Sequence, residues 1–482
     1  MDSLLITIIL ASYFGVLILI SSITAKGANN QSFFLGNRRS PWYVVAFGMI
    51  GATLSGVTFI SVPGWVISSQ FAYMQMVIGY LAGYQVIIYF LLPLYYRLGV
   101  TSIYTYLQQR FGFWSYRSGS FFFILSRTIG ASARLFIVAS VLQLTIFDSI
   151  GVPFWVSVLV TITLIWLYTF RGGIKTIIWT DLLQTFFMLL AMGLTLYFIF
   201  KNLSLSGRGV WEEIQSRHLG QIFFFRDFVT NRLHFVKYFF GGMFITIAMT
   251  GLDQDMMQKN LSCKSLKEAQ KNMNWFSLLL VPVNFLFLLL GAMLLIYASK
   301  QGIALPASSD DLFPFIVTQG YLPGIVMVAF MIGLIAAAFS SADSALTALT
   351  TSISVDLLGK VDSGEQQLRR VRYRVHLVLS LVILAFILLF RALNDRSIID
   401  TLFTIAGYTY GPLLGLFGFG LLTKFKINDR LVPVIVVIAP LCTYLIQYFS
   451  PLFLGGYVFG FELLLLNGLL TFGFLWLIKK AG

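Results

Sequence analysis

GLIAAAFSSADSALTALTTSISVD, residues Gly333 to Asp356, is apolar enough to lie in a membrane and yet carries hydroxyls at helical spacing. Ala337, Ser340, Ser341 and Ser344 fall at i, i+3, i+4 and i+7, so they share one face of a helix. Asp343 follows Ser340 by three residues and stands beside that face. A helix gains little from a row of hydroxyls turned to lipid. Uncharged oxygens on one face, with a carboxylate next to them, suit a hard monovalent cation. The plainer alternative is that small hydroxyl residues let helices approach closely. The rest of the chain has to decide between the two.

Of the 482 residues, 58% are hydrophobic and only 11% are charged. A soluble protein of this length needs a far more charged surface, so the chain reads as an all-α polytopic membrane protein. The net charge of +14 invites a nucleic-acid reading, but in a membrane protein basic residues mostly hold loops in the cytoplasm. Cys263 and Cys442 are far apart and are expected to stay unpaired. The first apolar run, Leu4 to Ile23, lacks a basic start and an obvious cleavage site and reads as a retained helix.

Hydropathy gives thirteen spans at about 3–23, 41–66, 71–96, 119–147, 153–170, 178–200, 233–256, 273–299, 321–357, 372–391, 398–423, 431–449 and 456–478. They are numbered zero to twelve, because the first looks like an addition to a core of ten. With the N-terminus outside, the inner loops hold 22 Lys and Arg residues and the outer ones 9, while Arg127 and Arg134 fall inside a span. That asymmetry predicts a periplasmic N-terminus and a cytoplasmic C-terminus. Spans one to five and six to ten then run with opposite orientation, the arithmetic of an inverted repeat, with a first repeat at 41–200, a second at 233–423 and two further helices at 431–478. Matching spans in such a fold are broken near the midplane, which frees carbonyls for cations. Span one offers Gly48, Gly51, Gly56 and Pro63-Gly64 as breakers, and span six offers Gly241-Gly242 and Gly251 ahead of Asp253 and Asp255. The same glycines also serve close helix packing.

Several polar residues lie inside the apolar runs. Asp181 stands near the cytoplasmic start of span five, either as a functional carboxylate or as an interfacial acid paired with Lys175. Arg134 in GASARLFIVAS is too deep to snorkel and calls for a water-filled cavity or a carboxylate, whether as part of a site or of a structural pair. Thr53, Ser55 and Thr58 of span one and Phe71 and Gln75 of span two suit a polyhydroxylated or amide-bearing solute, though Ser and Thr also glue helices. Together with Arg134 they suggest an anionic ligand, since a guanidinium takes a carboxylate in bidentate fashion. The sequence has no HExxH, CxxC, Walker A or nucleophile elbow, so neither an enzyme nor an ATP-driven pump is expected.

At GATLSGVTFISVPG (51–64), GGIKTIIWTDLLQ (172–184), GLDQDMMQKNLS (251–262) and AAAFSSADSALTALTTSISVD (336–356) the chain resembles the sodium:solute symporter family, whose five-plus-five inverted-repeat fold is shared with LeuT. The resemblance spans nearly the whole chain. It implies a shared sodium site on Gly51, Leu54, Ala337, Ser340 and Ser341, with Gly51 where the family usually has Ala. It also implies a second sodium site, found in some members, on Asp181, Ser340 and Ser344, with Asp343 in place of an expected hydroxyl. Thr53, Ser55, Thr58, Phe71, Gln75 and Arg134 resemble the substrate site of the family's bacterial sialic acid transporters, in which the span-three Arg takes the sugar carboxylate. The resulting expectation is a monomeric inner-membrane symporter that imports an organic solute, an acidic sugar such as sialic acid, with Na+ as coupling ion. Another solute (a neutral sugar, another carboxylate or an amino acid) is the alternative. A channel would need a continuous pore and a repeated selectivity element, which are not visible. A sensor would need an output domain, and only four residues follow Ile478.

Overall fold

A computed structural model describes residues 3–143, 147, 148, 151–360, 364–393 and 398–480. The described residues are helical apart from turns, loops and two isolated bridges, and a helix or bent helix pair stands at each of the thirteen expected spans. In order these are Ser3–Thr24, Trp42–Ser69, Tyr73–Leu98, Phe113–Leu142, Phe154–Thr169, Ile174–Leu203, Phe235–Gly251 with Gln254–Leu261, Leu266–Lys300, Gly324–Leu357, Glu365–Leu393, Ile398–Thr409 with Gly411–Leu422, Val432–Phe453 and Leu463–Leu477. Spans seven and nine start seven residues earlier than hydropathy indicates. Their first turns are polar extensions, and the extension of span seven is capped by Ser265, which accepts from the Glu268 backbone N–H. Two shorter helices, Gly207–Ser216 and Leu312–Thr318, lie in connections read as plain loops.

Burial separates a central group from a lipid-facing rim. In the most apolar stretch of span one 89% of residues are buried, and in span eight 78%, against 33% for span nine and 28% for span eleven. Glycines let the central helices touch. A Cβ on Gly48 would lie 2.9 Å from the Asp181 Cβ, and one on Gly56 would lie 3.3 Å from the Ala338 Cβ. Spans one, five and eight therefore meet where the sodium-site residues of the sequence reading lie.

The breaks are where the function needs them, though not all at the glycines. Span one breaks at Ser55, whose φ of 49° and ψ of 170° belong to a region that is essentially glycine territory. Pro63 and Gly64 stay inside the helix. The break interrupts the helical ladder at Ser55, and carbonyls just ahead of such a break are the ones open to a cation. Span six turns by 63° between Gly251 and Gln254, and Asp253 caps the second half by accepting from the Asp255 and Met256 N–H groups at 2.9 and 3.3 Å. Gly242 sits in the helix ahead of the bend, where a Cβ would fall 2.3 Å from the Met76 carbonyl, so it serves packing against span two. Span ten also bends, by 41°, which the sequence did not signal. Broken first helices in both five-helix sets give the inverted-repeat architecture that the span count called for.

Candidate functional site

Gly51 and Leu54 on span one and Ala337, Ser340 and Ser341 on span eight are all buried, on two helices that touch at Gly56 and Ala338. The set offers backbone carbonyls freed by the break and two hydroxyls, which is suitable chemistry for sodium. The Ser341 hydroxyl donates to the Ala338 carbonyl at 3.0 Å, and Ser340 donates to Asp181 Oδ1 at 2.6 Å, so the lone pairs of both remain available to a cation. Thr185 explains the glycine at position 51. Its Oγ1 accepts from the Gly51 N–H at 3.1 Å, and a Cβ on Gly51 would lie 2.3 Å from that oxygen and 3.2 Å from the Thr185 Cα. Gly51→Ala is expected to destabilise the protein by about 1–3 kcal/mol through overpacking. Thermal unfolding checks this, and Gly51→Ala with Thr185→Ala should recover most of the loss.

Of the residues expected at a second sodium site, Asp181 and Ser340 are hydrogen-bonded, while Ser344 and Asp343 have other partners. Asp181 is ion-paired through Oδ2 to the Lys259 ammonium at 2.7 Å, with both side chains 1% exposed. Its expected alternative partner, Lys175, instead donates to the Lys26 carbonyl. Lys259 is one of the 22 basic residues that the topology reading assigns to inner loops; it lies instead in the buried second half of broken span six, Gln254–Leu261. Ser344 turns away from Asp181 and donates to Asp255, which also binds Arg127. Asp343 accepts from the Tyr168 hydroxyl at 2.8 Å, and its other oxygen has no partner.

A cavity lies at the break in span one, between spans two, three, six, seven and ten. Its walls include Thr53, Ser55 and Thr58 of span one and Arg134 of span three. Arg127 is held by Asp255, with Asp253 3.7 Å away. Arg134 has no carboxylate within ion-pair distance among the described residues, and its Nε is buried without a partner. Phe71 and Gln75 lie outside the cavity. Phe71 packs edge-on against Phe285, and Gln75 holds the outer loop, donating to the Leu233 carbonyl at 2.9 Å and accepting from the Phe224 N–H at 3.1 Å. Span two presents Tyr73, Tyr80 and Tyr84 instead, at i, i+7 and i+11 on one helix face. The Tyr73 and Tyr80 hydroxyls are 3.2 Å apart. That spacing was readable in the sequence. Thr246 and Thr250 of span six and Asn284 of span seven complete the polar lining and carried no such signal.

The family model for the sodium:solute symporter family matches residues 33–430. The chain belongs to the sodium:solute symporter family. This symporter is 27% identical over 429 residues to the sodium/sialic acid symporter SiaT of Proteus mirabilis, covering 86% of this chain and 84% of that protein. It is 26% identical over 444 residues to the sodium/sialic acid symporter NanT of Aliivibrio fischeri, covering 90% of this chain and 86% of that one. A solved Na+-coupled sialic acid symporter, in a substrate-bound outward-open state, superposes with a TM-score of 0.83 at 19% identity over 98% of both chains, a match of fold. As a member of this family the symporter couples solute movement to sodium and is a membrane transporter, not an enzyme.

Proposed function

We propose that this symporter imports a carboxylated sugar of the sialic acid class with sodium across a bacterial inner membrane, acting as a monomer with its N-terminus in the periplasm and its C-terminus in the cytoplasm. The observation that carries this reading is Arg134, a guanidinium in the wall of the central cavity with no carboxylate at ion-pair distance among the described residues. Residues 41–200 and 233–423 form the two repeats, and the cavity lies at their broken helices. Sodium at Gly51, Leu54, Ala337, Ser340 and Ser341 ties span one to span eight. Because the lower wall of the solute site is the same broken segment, bound sodium favours the conformation that receives solute. The cavity encloses about 100 Å³, well below the ~300–1,000 Å³ of a site for a drug-sized ligand. A sugar acid therefore requires the helices to part, as alternating access demands.

Thermal shift on the purified symporter tests both halves of the reading. Sodium should stabilise it, potassium should not, and N-acetylneuraminate should add stabilisation only when sodium is present. Ser341→Ala removes one of the five proposed ligands and should raise the sodium concentration for half-maximal stabilisation by about tenfold or more. An unchanged sodium midpoint would remove span eight from the site. Equal stabilisation by N-acetylneuraminate in sodium and potassium would break the coupling.

A further inference from the structure

We propose that Asn284 makes the solute site demand a hydrogen-bond donor, so that the symporter takes carboxylates bearing distant hydroxyl or amide groups and refuses bare anions. This deepens the reading above and rests on the cavity being the solute site. Asn284 lines the cavity from span seven and is only 1% exposed. Its Nδ2 donates to the Leu280 carbonyl at 2.7 Å, which fixes the amide orientation, since only the NH2 end can face a carbonyl. The Oδ1 is then left as a buried acceptor with no partner. Such a group is costly unless a donor reaches it. Asn272 and Asn467 also have buried Oδ1 atoms without partners, but of the three only Asn284 lines the cavity, where a solute can reach it.

The surroundings of Asn284 point the same way. Tyr84 packs edge-on against Phe276 of span seven with ring centroids 5.2 Å apart, so the tyrosine-bearing face of span two packs on the helix that carries Asn284. Thr53, on the broken segment of the same cavity, has a second buried oxygen without a partner. Arg134 enters from span three, where it also borders a crevice shared with span ten. The cavity therefore has a cationic wall on one side and neutral hydrogen-bonding groups on another. A solute that satisfies both carries a carboxylate and, separated from it, N–H or O–H groups. Halides and short monocarboxylates leave the Asn284 oxygen unpaired, and a site built to bond a polar group rejects analogues lacking it by large factors.

The test compares the parent with Asn284→Leu, a near-isosteric change, by competition against labelled N-acetylneuraminate in sodium, using pyruvate, iodide and neutral N-acetylglucosamine as probes. The parent should bind N-acetylneuraminate at least about a hundredfold more tightly than pyruvate or iodide. Asn284→Leu should weaken N-acetylneuraminate about 10- to 100-fold, leave pyruvate unchanged and keep the parental stabilisation by sodium. If Asn284→Leu fails to show that stabilisation, Asn284→Ser serves the same comparison. Parental affinity for N-acetylneuraminate in the variant, equal losses for both acids, or a parent that binds pyruvate as tightly as the sugar acid would overturn the proposal. If the parent binds N-acetylglucosamine as tightly as the sugar acid and only Asn284→Leu loses it, the role of Asn284 stands while the acidic reading of Arg134 falls.

Discussion

Arg134→Gln abolishes binding of a carboxylated sugar while leaving stabilisation by sodium intact. A guanidinium at mid-span is unfavourable by about 2.5–3.5 kcal/mol on insertion scales unless something compensates. Its neighbour Arg127 has taken the nearby carboxylates Asp253 and Asp255, so Arg134 has none at ion-pair distance among the described residues. On the proposed reading, a solute carboxylate completes the pair during transport. Glutamine keeps hydrogen bonding and loses the charge. Arg134→Lys keeps the charge and loses the planar fork, so it should bind more weakly than the parent without losing binding altogether. Two titrations on each purified variant, one with sodium and one with N-acetylneuraminate, separate the outcomes. Parental sugar-acid affinity in Arg134→Gln would make Arg134 structural.

Lys259→Met should destabilise the symporter by about 3–5 kcal/mol, because it strands the Asp181 carboxylate without its cation in a dry interior. The double variant Lys259→Met with Asp181→Asn removes both charges and should recover most of that loss, since replacing a whole buried pair is often close to neutral. Thermal unfolding in one detergent at one sodium concentration checks the cycle. The pair also bears on coupling: Asp181 Oδ1 accepts from Ser340, so Lys259 holds the carboxylate that orients a proposed sodium ligand. The double variant should therefore regain stability without regaining parental sodium affinity. Additive losses in the cycle would show that the two charges do not act as a pair.

Thirteen spans were legible because twenty-odd apolar residues in a row have few other uses, and the span-eight hydroxyls were legible because i, i+3, i+4 and i+7 have one geometric meaning. The break in span one was legible as an event but not as a position. Glycine and proline mark where a helix can bend, whereas the bend at Ser55 depends on what spans five and eight press against it. Lys259 was misread for a related reason: a charge after a polar run looks like a loop until the turn at Asp253 folds it inward. On span two, Phe71 and Gln75 were named by likeness and lie outside the cavity, whereas Tyr73, Tyr80 and Tyr84, at helical spacing, line it. Asn284 sits in an unbroken apolar run, and only an unpaired oxygen in a cavity distinguishes it from a packing residue.

The most direct measurement is the initial rate and final level of labelled N-acetylneuraminate uptake into proteoliposomes containing the purified symporter. An inward sodium gradient should drive accumulation above the external concentration. Equal sodium on both sides should give exchange without accumulation, and a sodium ionophore or replacement by potassium should reduce uptake to that of protein-free vesicles. Accumulation that persists in potassium, or sodium-driven vesicles that never concentrate the sugar acid, would contradict the account.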